Sequence, residues 1–477
     1  MAKTAAKKRT WWGKGVGGGV LVLGLVLGII STGWGQPPTL PKPVVDSPKV
    51  PEDVSIPPGF SGNPIAFFDD YSWRAFIAVV WPGLKDQQGE PDPKKSLDDA
   101  GPRVFETYKS LAEVFHNDGS APAALNQYDD PKYNPCGIKT GYGDLTLASF
   151  SKFSNLGQAG FGSLLGPLVA QNTSYVRYQT GFNNIEFQQI VGQQWYRRSN
   201  LPNPPGSITF ANGALDVKSA WILMKGVPHP ERYYVRQAHV LDPVTGQTSQ
   251  VDVGLVGLHI VQKTPSRPQW IWSSFEQVDN VPPAQDGGPG TFTFNDGKGT
   301  PMPSNNPYPL DRVLQPPTAA PFNVQRLKPI HSSTEKTNEA YHAALDPKSV
   351  WQFYQLVVTQ WPTTPNNPAL PGTPNNTFPG SPPNDQTAFA NVTMETFEQQ
   401  TVFTSCMACH NATMKPTDFV WTVADHAFPA KTGTPNLLMQ DQSFRKLRDI
   451  LLDAKKENAK RAPSSEPNGP DRSGRKH

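Results

Sequence analysis

Val251-Asp252-Val253-Gly254-Leu255-Val256-Gly257-Leu258-His259-Ile260-Val261-Gln262-Lys263 reads as a β-strand and has strands of the same kind on both sides. Leu215–Met224 and Tyr233–Leu241 precede it and Gln269–Val278 follows, a group rich in Val, Ile, Tyr and Trp. Asp242-Pro243-Val244-Thr245-Gly246 suits a hairpin connection between the second and third of these segments. Four consecutive strands predict a largely antiparallel sheet, covered by helices that come from elsewhere in the chain.

On the N-terminal side, Phe68, Trp73, Phe76, Ile77 and Val80 recur at helical spacing within Phe67–Val80, and Pro82 ends that helix. A second short helix is expected over Val104–Phe115. Asn117 to Gly166 is loop-like and contains Cys136, which reads as a buried, inert thiol rather than a reactive one. On the C-terminal side, Pro282–Pro329 is rich in Pro, Gly and Asn and has no periodic pattern. A helix near Glu335–Leu345 and a strand over Val350–Trp361 follow, then a Pro/Asn loop over Thr363–Thr387. The 51 prolines and 40 glycines among 477 residues favour long ordered loops and short strands over a helical bundle. Twelve tryptophans require a substantial core, and a net charge of +3 implies neither a nucleic-acid nor a polyanion partner.

Thr404-Ser405-Cys406-Met407-Ala408-Cys409-His410 carries the C-x-x-C-H pattern of covalent c-type haem attachment. Two thiolates at this spacing can form thioethers with the two vinyl groups of one porphyrin. The adjacent imidazole is then the proximal iron ligand. With 3 Cys and 9 His in the chain, chance would produce the pattern in roughly 4 of ten thousand such sequences. A zinc site wants a second ligand pair, and the remaining cysteine, Cys136, stands alone. A thioredoxin-like motif would follow a strand in a βαβ unit, and no such unit is visible.

One motif implies one haem c. For the other face of the iron, Met439 lies 29 residues beyond His410, after Pro429 and Pro435, and is preceded by Leu437 and Leu438. His259 is the alternative, on an apolar strand where it alternates with Leu255, Gly257 and Val261; an exchangeable water is a third. Met414 is too close to His410 for the chain to round the porphyrin edge. The plainer role for His259 is a core histidine held by a hydrogen bond. His239 alternates on the preceding strand, which allows a cross-strand approach to His259. Glu276 and Asp279 read as solvated strand-end carboxylates.

Asn391 or Thr393 can cap a helix carrying Met394 and Phe397 towards Cys406, and Ser443 can cap a last helix with Phe444, Leu447, Ile450 and Leu451 on one face. The N-terminus has Lys3, Lys7, Lys8, Arg9 and Lys14 ahead of an apolar run over Val16–Ile30, the pattern of a secretory signal. An uncleaved anchor is the rival, because Val16 to Gly35 approaches the ~20 residues needed to span a bilayer. Either way the body is expected outside the cytoplasm, in the periplasm or a similar compartment, with residues 15–35 as a possible membrane tether. Residues 1–35 thus form a signal or anchor and 36–60 a Pro-rich tether. Residues 61–390 form an α+β body, 391–457 a small, mostly helical haem-c segment, and 458–477 a polar tail.

Several blocks resemble a family of bacterial exported c-type cytochrome-domain proteins of unknown function. They are Trp73-Arg74-Ala75-Phe76-Ile77-Ala78, Val217-Lys218-Ser219-Ala220-Trp221, Gly257-Leu258-His259-Ile260-Val261, Phe275-Glu276-Gln277-Val278-Asp279-Asn280, and Thr393-Met394-Glu395-Thr396-Phe397 through His410. The resemblance implies one mixed α+β unit with a terminal haem segment, and it transfers a role only to Cys406, Cys409 and His410. The expectation is electron transfer with an unidentified redox partner protein. The alternatives are a haem-dependent oxidoreductase with an open iron and a substrate pocket in the sheet body, or a haem-based sensor. No Ser-His-Asp arrangement, H-E-x-x-H or phosphate-cradling glycine loop stands out.

Overall fold

The computed structural model describes residues 41–148, 168–202, 208–242, 247–282, 290–297, 323–363, 365, 390–399, 405–407, 410, 418–420, 423 and 426–429. The expected signal or anchor, Cys409, Met414, Met439, the helix after Ser443 and the tail lie outside the described residues. Among the described residues no helix is long and apolar enough to cross a membrane.

The fold is α+β, built on one mixed sheet that has eight strands among the described residues. These are β1 (Lys109–Ser110), β2 (Leu145–Leu147), β3 (Arg177–Phe182), β4 (Leu215–Leu223), β5 (Val235–Leu241), β6 (Thr248–Gln262), β7 (Ile271–Gln277) and β8 (Tyr354–Gln360). Their order is β1-β3-β4-β6-β5-β2, with β7 paired to β6 and β8 to β7. Only β2 and β5 run parallel; the other pairings are antiparallel. The opening stretch is β6, the long central strand. It pairs with β4 along one edge. Along the other, residues 248–254 take β5 and residues 257–262 take β7. From Val253 to Gln262 every residue except His259 is buried.

The four strands read from sequence are all present, but β4 and β5 are not neighbours, because β6 lies between them. β3 escaped the sequence reading because its polar Arg177, Gln179 and Thr180 break the apolar pattern that marks the others.

Among the described residues four helices accompany the sheet: α1 (Ile65–Val79), α2 (Leu111–Val114), α3 (Asn184–Gly192) and α4 (Ser332–Ala344). Fourteen of the 15 residues of α1 are buried, all but Arg74, so this helix is core on every side. Trp73 stacks on Tyr341 of α4 at 4.9 Å and meets Phe275 of β7 edge-on at 5.2 Å, joining both helices to one face of the sheet. Asp69 is buried there with Thr334 Oγ1 at 2.7 Å and Thr359 Oγ1 at 2.8 Å donating to it. Burial pushes its carboxyl up to about 7 against those two bonds.

The single helix expected over Val104–Phe115 is broken into a 3-10 turn (Val104–Thr107), β1 and α2. Ser110 starts a fresh helix, its N–H donating to Glu113 Oε2 at 2.8 Å, and Lys109–Ser110 pairs with β3. The described part of the expected tether is held to the body. Val45, Val50, Val54 and Ile56 pack on core clusters, and Gln262 Nε2 donates to Pro51 O at 3.0 Å.

Candidate functional site

The face of the sheet opposite α1 receives the segment that carries the C-x-x-C-H pattern. Ladder pairing sets Phe182, Asp216, Val261, Trp272 and Gln360 in one row and Thr180, Lys218, His259, Ser274 and Val358 in the next. Residues two apart on a strand share a face, so both rows look the same way.

Residues 390–399 are fastened along this face. Asn391 Nδ2 donates to Ser274 Oγ and to Phe275 O, both at 3.0 Å. Val392 N donates to Glu276 Oε1 at 2.6 Å, and Tyr178 OH to Thr393 O at 2.6 Å. Gly257 is required beneath them, since a Cβ there would stand 2.1 Å from Thr393 Oγ1. Asn391 therefore ties the segment to the sheet and does not cap a helix; the described backbone that follows makes a 3-10 turn, Thr396–Glu398. Glu276, read as a solvated carboxylate, is fully buried and paired with Arg326. Burial pushes it up, and the Arg326 charge pulls it back.

Further along, Met407 N donates to Gln360 Oε1 at 3.1 Å. Met407 and Cys406 join an aromatic-rich cluster with Phe115, Phe182, Trp195, Phe210, Trp270 and Trp272. The His410 ring lies 4.2 Å from the Trp272 ring. His410 Nδ1 stands 2.6 Å from Phe419 O, and a carbonyl oxygen can only accept. That bond assigns the proton of the neutral imidazole to Nδ1 and the lone pair to Nε2, the form in which histidine ligates iron.

The Phe419 carbonyl is itself held in place. Asp418 and Phe419 adopt left-handed backbone angles, φ 55° and 68°. Asp418 Oδ2 accepts from Lys263 Nζ at 2.7 Å and from Phe210 N at 2.8 Å, and Trp270 Nε1 donates to Asp418 O at 2.7 Å. Apolar, aromatic surroundings and an imidazole protonated at Nδ1 are the side-chain chemistry that a c-type haem requires.

His259 projects from the ladder row next to that of Trp272, with its Nε2 3.5 Å from Glu395 Oε2. That is an ion-pair distance without hydrogen-bond geometry. His239 does not approach it: His239 pairs with Gln250, on the half of β6 that serves β5. His342 Nε2 is engaged at 2.8 Å by Tyr354 O. The thiol of Cys136 is buried and bonded to His239 O at 3.4 Å; burial pushes it up to about 11, as suits an inert cysteine.

A serine, a histidine and an aspartate do meet, though no sequence pattern marks them. His116 Nδ1 lies 2.8 Å from Ser120 Oγ, and its Nε2 3.3 Å from Asp129 Oδ1. The neighbouring backbone donors are engaged, Gly119 N by His116 O and Ser120 N by Asp118 Oδ1.

Glu186, Asp216 and Asp418 form a group of interacting acids that sequence could not reveal. Glu186 of α3 is fully buried, with no hydrogen-bond partner at either carboxylate oxygen. Burial pushes it well above its ordinary 4.5, and the charges of Asp216 and Asp418 push the same way. The folded chain thus keeps a proton that the unfolded chain releases near pH 4.5. The stability linked to Glu186 is present below that pH and falls as pH rises. Glu186→Met should be close to neutral at pH 4 and stabilise by about 1–3 kcal/mol at pH 8. Urea unfolding at both pH values reads this, and a variant weaker than the parent at pH 8 refutes it.

No protein-family profile, curated protein or solved structure matches this chain.

Proposed function

We propose that the chain is an exported monohaem c-type cytochrome that transfers electrons to or from a separate redox protein. Cys406 and Cys409 hold the haem covalently, and His410 is its proximal ligand. The observation that carries this reading is the 2.6 Å contact from His410 Nδ1 to the Phe419 carbonyl. A motif histidine with no metallic role has no need of a carbonyl fixed by a buried Asp418–Lys263 pair. When bound, haem supplies one-electron chemistry at its iron. The residues around it exclude water, orient the imidazole and set the charge of the surroundings.

The distal ligand in this proposal is Met439, with His259 as the alternative. The cationic, then apolar N-terminus supports export, and the sequence blocks quoted above support kinship with exported cytochrome-domain proteins. The test is an optical spectrum of the purified protein, oxidised and reduced, with and without carbon monoxide. A low-spin c-type spectrum unchanged by carbon monoxide is expected. A high-spin spectrum that shifts with carbon monoxide would replace the carrier by an oxidoreductase or sensor, and a protein without haem would overturn the whole proposal.

A further inference from the structure

Glu186 is the third residue of α3, where a glutamate ordinarily turns back to bond the capping residue. Asn183 Oδ1 does accept from Glu186 N at 3.0 Å, but the Asn183 N–H goes to Leu215 O at 2.9 Å. The Glu186 carboxyl instead turns into the interior, 0 % exposed and with neither oxygen bonded. A buried acceptor in that state costs stability, which calls for a reason.

The charged groups packed round it do not balance. Asp216 and Lys218 stand on β4, Lys263 just past β6, and Asp418 beyond the C-x-x-C-H pattern. Lys263 is engaged by Asp418 at 2.7 Å, and Lys218 acts on Asp216. Lys109 of β1, on the far side of Phe187, is paired with Glu113 at 3.7 Å. His426 is kept neutral, pushed down to about 4 by burial and by the charges of Lys218 and Arg198. Glu186 is left with two negative neighbours, Asp216 and Asp418, and no counter-ion of its own among the described residues.

Both neighbours lead to His410. Asp418 precedes Phe419, whose carbonyl meets His410 Nδ1. Asp216 shares a ladder row with Trp272, two strands away and so roughly 10 Å along the sheet. The Trp272 ring in turn packs on His410.

We infer that Glu186 takes up one proton when the iron held by His410 takes up one electron. The inference rests on the haem reading above. The redox partner supplies the electron, a proton from solvent joins a Glu186 oxygen, and no other bond forms or breaks. One unit of charge at roughly 10 Å, in an effective dielectric near 20, changes a proton affinity by roughly tenfold. The coupling is reciprocal, so the protonated acid favours the reduced iron by the same factor. Burial without donors suits the task, because it lifts the carboxyl well above its ordinary 4.5, towards the pH at which the protein works.

The test uses the haem-loaded full chain. Its reduction potential, followed optically between about pH 5 and pH 9, should fall as pH rises. Glu186→Gln should flatten that slope while the Soret band keeps its parent position. In weakly buffered solution, reduction of the parent should take up close to one proton per electron on the sloping part, and reduction of the variant markedly less. Glu186→Met supplies the same comparison if the glutamine variant does not fold. A slope that survives both substitutions would belong to the propionates of the haem and would overturn the inference. A parent potential indifferent to pH overturns it as well. A chain whose spectrum shows no haem overturns the cytochrome reading itself, a result distinct from a haem-loaded protein with a flat potential.

Discussion

Cys406→Ala with Cys409→Ala should yield a polypeptide that keeps no haem under denaturing, reducing conditions. Thioether formation needs a thiolate for each vinyl group, and the double variant has neither. The remaining cysteine, Cys136, is buried in a separate part of the fold with its sulfur on a backbone carbonyl. It cannot substitute, and Cys136→Ser should leave attachment complete. The expected effect is total loss of haem-linked peroxidase staining in a denaturing gel for the double variant. The Cys136→Ser variant should stain like the parent. Haem that stays with the double variant through that gel would show that Cys406 and Cys409 are not the attachment points.

Asp418→Ala should cost about 3–5 kcal/mol, the range for stranding one member of a buried ion pair. Lys263 has a side chain only 3 % exposed, and without Asp418 its ammonium keeps Pro268 O alone as a named partner. Phe210 N loses its acceptor as well. The change also frees the neighbouring peptide, so the carbonyl that orients His410 loses its support. Two readouts are expected to move together. The urea midpoint should fall, and the Soret band of the haem-loaded protein should broaden or shift as the imidazole loses its fixed direction. A stability loss with an unaltered Soret band would mean that the Asp418 anchor serves the fold but not the ligand. Asp418→Asn, which keeps an acceptor for Phe210 N, should fall between the parent and the alanine variant.

What sequence could reveal was whatever repeats locally. β6 and its three companions are dense in β-branched and aromatic residues, and α1 has helical spacing, so all five were legible. The C-x-x-C-H pattern was legible because its chemistry demands fixed spacing. The face of the sheet that receives it was not. His410 meets Trp272 and Phe419, and Asn391 meets Ser274, through contacts that no local pattern encodes. Glu276 illustrates the failure: at a strand end it looked solvated, yet Arg326 and Val392 N, from segments 50 and 116 residues away, enclose it. Glu186 was invisible for the same reason, since α3 packs on β3 and β4, and Asp216 and Asp418 act on its charge. Ser120 and His116 were near in sequence but far from any recognised motif.

The bonds between α1 and β8 carry a consequence for the order in which the molecule assembles. Asp69 and Ser72 are bonded to Thr359, 290 and 287 residues further on. The first described helix and the last described strand therefore complete one another, and the chain between them must wait for both. Ring closure over such a span is slow, and until it happens the side of α1 that faces β8 has no permanent cover. A chain shortened to end before Tyr354 should behave as a collapsed, protease-sensitive species rather than as a smaller domain. Limited proteolysis of that fragment checks this, and a resistant core containing α1 would contradict it. For a chain made from its N-terminus onwards, Cys406 and Cys409 follow β8 by fewer than fifty residues. The last described strand of the body and the segment proposed to take the haem thus become available almost together.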